Sequence, residues 1–257
     1  GMFAFAIWDN SDQSLFIARD RVGKKPLFYS VTPSGEFVFG SELKVLLTHG
    51  GISREIDRGA LDAYLTFGYV PEELCIFASV KKLEPGHFLT FRNSEIRTEK
   101  YWDLDFSGEQ FADNEEHIAG QLLEKLRDAV AVRLVSEVPL GAFLSGGVDS
   151  SAVVGLMSQI MNSPVKTFSI GFNEDSFDEL KYARIAARHF GTDHHEFTVT
   201  PDLVSVVDEL VWHFDEPFAD SSSLPTFMVS KMAREHVTVV LSGDGGDELF
   251  AGYSRYV

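Results

Sequence analysis

Two short apolar runs in the second half of the chain, 138–144 (VPLGAFL) and 237–241 (VTVVL), each break into a glycine turn. The first turn is Ser145-Gly146-Gly147-Val148-Asp149-Ser150-Ser151, and the second is Ser242-Gly243-Asp244-Gly245-Gly246-Asp247-Glu248. Glycine pairs let a backbone turn sharply and approach a ligand closely. Hydroxyls and main-chain N–H groups at a helix N-terminus suit an anion. Around these turns the residue pattern alternates helix and strand. Helices are expected at about 117–135, 150–161, 178–190, 202–213 and 222–236, and strands at 138–144, 165–171, 195–199 and 237–241. That alternation predicts an α/β doubly wound, mainly parallel sheet. Such sheets bind ligands beyond the carboxyl ends of their strands, which is where both turns fall.

The first half has a different texture. Runs at 3–9, 14–19, 27–31 and 36–41 read as strands joined by tight turns, which suggests one antiparallel sheet. The first of them should have one buried face. Helices are expected at 42–49 and 58–66, and a further strand pair near 87–92 and 95–100. A polar stretch from about 106 to 116 reads as a linker, giving two domains, 1–107 and 108–257.

At 257 residues, 44% of them hydrophobic, the chain can bury real cores. No apolar run is long enough to cross a bilayer, and no secretion signal is visible, so the cytoplasm is the expected compartment. The single cysteine, Cys75, excludes an internal disulfide framework and a multi-thiolate metal site. A net charge of −17 disfavours nucleic acid or an anionic membrane as partner. Residues 108–257 carry 10 basic and 24 acidic side chains, so a nucleotide bound there calls for a divalent cation.

The first turn is neither a Walker loop, since no Gly-Lys-Ser/Thr follows it, nor a G-x-G-x-x-G fingerprint. The only Gly-Lys, at Gly23-Lys24, has Ala18 where a Walker loop needs glycine. A carboxylate such as Asp149 belongs in a phosphate site if a metal ion bridges the two. Taken singly, each acid in the turns is equally a helix cap. Two turns with acids at matching depth favour a metal and nucleotide site.

SGGVDSS resembles the signature of the ATP-pyrophosphatase (PP-loop) family, which cleaves ATP between the α and β phosphates. LSGDGGDELFAGYSRY (241–256) and DEPFADSSSLPTF (215–227) resemble the glutamine-dependent asparagine synthetase family more specifically. GMFAFAIWD, ARDRVGKKPLFY, FGSELKVLL and YVPEELCIFASVKKLEPGHFL are similar to the later part of that family's glutaminase domain. The resemblance implies an α+β sandwich of two antiparallel sheets, part of an N-terminal-nucleophile domain, ahead of part of the PP-loop domain. It implies ATP and Mg²⁺ as cofactors, and aspartate with glutamine or ammonia as substrates. Ser145, Gly146, Gly147, Ser150 and Ser151 would cradle pyrophosphate, and Asp149 and Asp247 would hold Mg²⁺. Leu144, Ile170, Ser242 and Gly243 would surround the adenosine, and Asp244 stands where the family carries a catalytic glutamate. Relatives with sugar, peptide or β-lactam acceptors stay open, as do a non-catalytic nucleotide-binding module and a homodimer.

Some features depart from the family. Its nucleophile is an N-terminal cysteine, whereas residue 1 is glycine; the resemblance reads this as the cut edge of a longer chain. The family's catalytic lysine would lie beyond Val257. These 257 residues alone are therefore expected not to hydrolyse glutamine. Cys75 reads as a packed core thiol, and Trp8, Trp102 and the phenylalanines as core. His194-His195 is a poor metal pair, because adjacent strand residues point to opposite faces. Arg19-Asp20-Arg21 reads as a structural ion pair. For Asp215-Glu216 and Ser221-Ser222-Ser223, facing the acceptor and capping a helix are equal alternatives.

Overall fold

The computed structural model describes residues 1–108, 114–172, 180–199 and 203–253. Parts of the expected linker and the first residues of the helices expected at 178 and 202 lie outside that set, as do residues 254–256 of the second signature. The chain divides into two compact units, Gly1–Glu109 with Ser205–Asp220, and Gln110–Val204 with Ser221–Val257.

The first unit begins with strands β1 (Ala4–Asp9), β2 (Ser14–Arg19), β3 (Phe28–Val31) and β4 (Phe37–Gly40). Helices α1 (Leu43–Leu46) and α2 (Arg58–Phe67) follow, then β5 (Lys81–Lys82), β6 (His87–Arg92) and β7 (Glu95–Lys100). The four leading strands do not form the single sheet expected of them. One antiparallel sheet runs β1-β2-β6-β7 and another β4-β3-β5. The period-2 alternation of β2 and β6 explains the pairing: Ile17 and Leu89 lie opposite each other and are both fully buried. They share a cluster with Tyr29 and Phe37 of the other sheet. The second face of that other sheet, at Phe28, packs with Leu43, Leu46, Ala60, Cys75 and Ile76.

Strand β1 corrects two expectations. It is an edge strand, exposed from Phe5 to Asp9, and neither face is buried there. Trp8 is 53% exposed rather than core, and Trp102 is half-buried. Across this sheet the ring of Phe16 stacks on Phe88 and meets the tilted ring of Phe5 instead.

The second unit starts with α3 (Glu115–Arg133), capped by Asn114, whose side chain accepts from the His117 N–H at 2.8 Å. Then come β8 (Leu140–Phe143), α4 (Val148–Ile160), β9 (Lys166–Phe172), α5 (Leu180–Phe190) and β10 (Asp193–Val199). After α6 (Leu203–Phe214), whose residues from Ser205 onward group with the first unit, come α7 (Ser223–Ala233), β11 (Val239–Leu241) and α8 (Gly246–Phe250). The sheet order is β10-β9-β8-β11, with every pair parallel. Alternate strand residues face opposite sides: Ala142 and Leu241 join Val154, Met157 and Ala183, whereas Phe143, Phe168 and Val240 join Val229 and Ala233. Helices α3, α4 and α5 thus supply one core and α7 the other.

Candidate functional site

The strand order turns around at β8. Its chain successor β9 lies on one side of it and β11 on the other. At such a switch point the loops leaving neighbouring strands diverge and open a crevice at their carboxyl ends. The loops leaving β8 and β11 are the two glycine turns, and their strands are paired in register, Ala142 with Leu241.

In the first turn Gly146 has φ +84°, and a side chain there would run into the main chain of Tyr182 and Ala183. The Ser145 hydroxyl accepts from the Gly147 N–H at 3.2 Å and lies 3.0 Å from the Ser150 hydroxyl, which donates to the Gly147 carbonyl at 3.3 Å. Ser150 is buried, Ser151 half-buried and Ser145 exposed. Gly147 occupies the cap position of α4 and offers no side chain, so the first N–H groups of the helix remain open to an anion.

The second turn lies directly on that helix start. A methyl group on Gly243 would come within 2.7 Å of the Ser150 nitrogen and 3.0 Å of the Asp149 Cβ. The Asp149 carboxylate rests against the α-carbon of Gly246. Asp149 and Asp247 are both half-buried, and among the described residues neither carboxylate has a hydrogen-bond or ion-pair partner. Asp244 is exposed, its carboxylate accepting from the Ser242 hydroxyl at 2.9 Å.

The expected site residues therefore fall into two groups. Ser145, Gly146, Gly147, Asp149, Ser150 and Ser151 lie together with Ser242, Gly243, Asp244 and Asp247 at the two turns. The side chains of Leu144 and Ile170 do not meet: Leu144 is fully buried in one core cluster and Ile170 packs against the other. Leu144 has its N–H bonded to the Phe168 carbonyl at 2.9 Å, and its own carbonyl accepts from the Ser169 hydroxyl. Ser169 and the Tyr182–Ala183 main chain were not anticipated, because no spacing in the sequence links them to the turn.

Among the described residues no three His, Cys, Asp or Glu side chains cluster as a metal cage. The Asp149 carboxylate, at an open helix N-terminus, suits instead a hard cation whose other ligands are phosphate oxygens and water, whereas the Asp247 carboxylate lies against Gly252. His194 and His195 take different partners. Nδ1 of His194 lies 2.9 Å from the Thr167 hydroxyl, whereas His195 stacks on Phe168 and His236.

The charged groups of the first unit are structural. Arg19 spends its five N–H donors on Glu72 and on the carbonyls of Gly23, Lys25 and Leu83. Its ion-pair partner is thus Glu72 rather than a neighbour in sequence. Burial pushes the Asp20 carboxyl up, but the N–H groups of Lys24, Lys25, Phe3 and Val22 together hold it below the usual range. Asp215 caps α1 from far along the chain, accepting from the Leu43 and Lys44 N–H groups at 2.9 and 3.3 Å. Glu216 accepts from the Ile76 N–H at 2.8 Å and pairs with Lys82 at 2.6 Å. Cys75 is buried, and burial pushes its thiol up to about 12. A thiol that keeps its proton at neutral pH is no nucleophile.

Fold and crevice define an α/β unit with paired glycine turns at its switch point, continuous in one chain with an antiparallel-sheet unit. Residues 121–257 match the family described as Asparagine synthase, and residues 1–102 match the Glutamine amidotransferase domain. The chain belongs to the asparagine synthase family. It is 43% identical, over its whole length and 50% of the relative's, to "Putative asparagine synthetase [glutamine-hydrolyzing] 2" of Methanocaldococcus jannaschii. Identity is 40% to "Asparagine synthetase [glutamine-hydrolyzing] 1" of Bacillus subtilis, again over the whole chain and 40% of the relative. "Amidase chyE" of Penicillium rubens is 33% identical over the whole chain and 40% of its own length. The chain thus spans half or less of these relatives. No helix among the described residues is long and apolar enough to cross a membrane.

Proposed function

We propose that these residues belong to a glutamine-dependent asparagine synthetase that converts aspartate, ATP and glutamine (or ammonia) into asparagine, AMP, pyrophosphate and glutamate. The observation that carries the reading is the pair of glycine turns at the sheet's switch point, with the carboxylates of Asp149 and Asp247 left without partners among the described residues. The parallel sheet is then the doubly wound core of the PP-loop domain (108–257), and 1–107 is part of the N-terminal-nucleophile sandwich, joined there by Ser205–Asp220.

The side-chain carboxylate of aspartate attacks the α-phosphorus of ATP, the bond to the bridging oxygen breaks, and pyrophosphate leaves. Ammonia then attacks the acyl carbon of β-aspartyl-AMP and AMP departs. The open N–H groups of α4 and the hydroxyls of Ser145, Ser150 and Ser151 hold the departing pyrophosphate, and fixed donors of this kind supply much of the rate. Asp149 and Asp247 hold Mg²⁺, which neutralises phosphate charge. Leu144, Ile170, Ser242 and Gly243 border the adenosine, Leu144 through its main chain. Asp244 takes the place of the family's glutamate beside the acyl-adenylate. The buried thiol of Cys75 supports the further reading that these 257 residues alone release no glutamate from glutamine. An acceptor other than aspartate stands as the second reading, because one relative matched over the whole of this chain and 40% of its own length is named an amidase rather than an asparagine synthetase.

The experiment supplies the full-length protein with MgATP, aspartate and ammonia and follows AMP, pyrophosphate and asparagine together. Equal aspartate-dependent yields of all three are expected. ATP binding without aspartate-dependent AMP would transfer the chemistry to another acceptor.

A further inference from the structure

The first turn does not hold its own position. At φ +84° Gly146 lies against the main chain of Tyr182 and Ala183, in the first turn of α5, with no space for a side chain between them. The start of α5 is therefore the wall against which the turn rests. The next residue, Arg184, reaches from α5 to β10 and grips Glu196 at both oxygens: Nε donates at 2.8 and 3.0 Å, and Nη2 donates to Oε2 at 2.7 Å. Oε1 of Glu196 lies 3.4 Å from Nε2 of His194 without a hydrogen bond, and Nδ1 of that ring is 2.9 Å from the fully buried Thr167 hydroxyl on β9. Thr167 lies 2.9 Å from the Thr192 hydroxyl, just ahead of β10. A run of polar contacts thus leads from the sheet interior to the residue next to the wall.

We propose that Arg184 and Glu196 are positioning residues for the phosphate turn, fixing the start of α5 so that Gly146 rests where α4 presents its N–H groups. The bidentate fork is what sets direction; a single point charge on this helix face would leave α5 free to rotate. Neither side chain touches the turn, so both act through the Tyr182–Ala183 main chain. The Arg184 side chain is 45% exposed and that of Glu196 27%, so the pair adds little to global stability. Its effect is local.

The inference rests on the pyrophosphate reading of the turn, and one set of titrations separates the two. In the full-length protein, Glu196→Gln and Arg184→Gln are each expected to weaken MgATP and magnesium-pyrophosphate binding roughly fivefold. In kinetics KM for ATP rises and kcat falls with it, because the turn also presents its donors to the departing pyrophosphate. The melting temperature should move by less than about 4 °C. Exchanging the charges, Arg184→Glu with Glu196→Arg, should restore most of the affinity. Lys100→Ala removes an exposed ion pair to Asp103, far from the turn in sequence and in the other unit, and should leave binding unchanged. Wild-type affinity in both single variants overturns the inference, as does a charge exchange that restores nothing. A fall in melting temperature beyond about 10 °C makes the pair a folding element and overturns it too. Wild-type protein that binds no MgATP, or whose binding survives Asp149→Ala, overturns the reading of the turn itself.

Discussion

In the first unit the inward-facing charges are saturated by protein. Arg19 is 3% exposed and uses all five donors, Asp20 is 1% exposed and accepts from four N–H groups, and Lys82 donates to Glu216 and to the carbonyls of Val70 and Pro71. In the second unit the half-buried carboxylates of Asp149 and Asp247 have no such partners among the described residues. Both units place acids in turns, so residue type does not separate structural from ligand-binding carboxylates. The count of filled hydrogen-bonding sites does. A folded chain leaves a half-buried charge unfilled only at a cost, and such a charge is where a ligand completes the set.

The comparison breaks if a saturated group proves dispensable. Glu216→Ala would leave the Lys82 ammonium, whose side chain is 7% exposed, facing a gap, and would orphan the Ile76 N–H. A loss of about 3–5 kcal/mol is expected. The three tryptophans, Trp8, Trp102 and Trp212, all belong to the first unit, so their fluorescence in urea reports its unfolding alone. An unchanged urea midpoint would show that the Lys82 site is wet and its partner decorative.

A smaller effect sharpens the same contrast. Asp20→Asn keeps the shape of the side chain but turns one acceptor oxygen into a donor that faces N–H groups, for a loss of about 2 kcal/mol. Asp149→Asn should change stability by less than about 1 kcal/mol, the scale of a first-turn charge against the helix dipole. The same substitution should abolish magnesium-dependent ATP binding. If calorimetry finds Asp149→Asn as destabilising as Asp20→Asn, Asp149 is a structural acid and the contrast collapses.

How far the sequence could reveal this differed between the units. Where a strand runs straight into a helix, hydrophobic period and glycine place the turn, so Ser145–Ser151 and Ser242–Asp247 are legible as turns at the carboxyl ends of parallel strands. Local period says nothing about which strands pair, so β3 left the sheet that β1 and β2 began, and β1 became an edge with Trp8 exposed. Long-range capping left no trace either. Asp215 precedes a helix in sequence and caps a different one, α1, 172 residues back from it at Leu43. Leu144 and Ile170 were matched through the resemblance, and only the cross-sheet packing shows their side chains to lie in separate cores.

The smallest effect tests an unfilled group that is not at the crevice. Nε2 of His194 and of His195 is buried without a hydrogen bond, so an incomplete partner set is not by itself a ligand site. The difference lies in charge, because an imidazole can stay neutral where a carboxylate cannot. Burial holds the His194 ring below its ordinary value of 6.5, against the opposing pull of Glu196. The unfolded chain then takes up a proton that the folded chain refuses. This contribution is absent above about pH 7 and destabilises progressively as the pH falls below the unfolded value, until the folded-state pKa is passed. The limiting slope is about 1.4 kcal/mol per pH unit. Glu196, held low by its hydrogen bond to Arg184, stays ionised across this window. Urea midpoints followed by circular dichroism at pH 7.5 and 5.5 should therefore fall further for the wild type than for His194→Asn. Equal falls would mean that His194 is protonated in the folded state. It would then be filled by Glu196, and the separation of neutral from charged unfilled groups would fail.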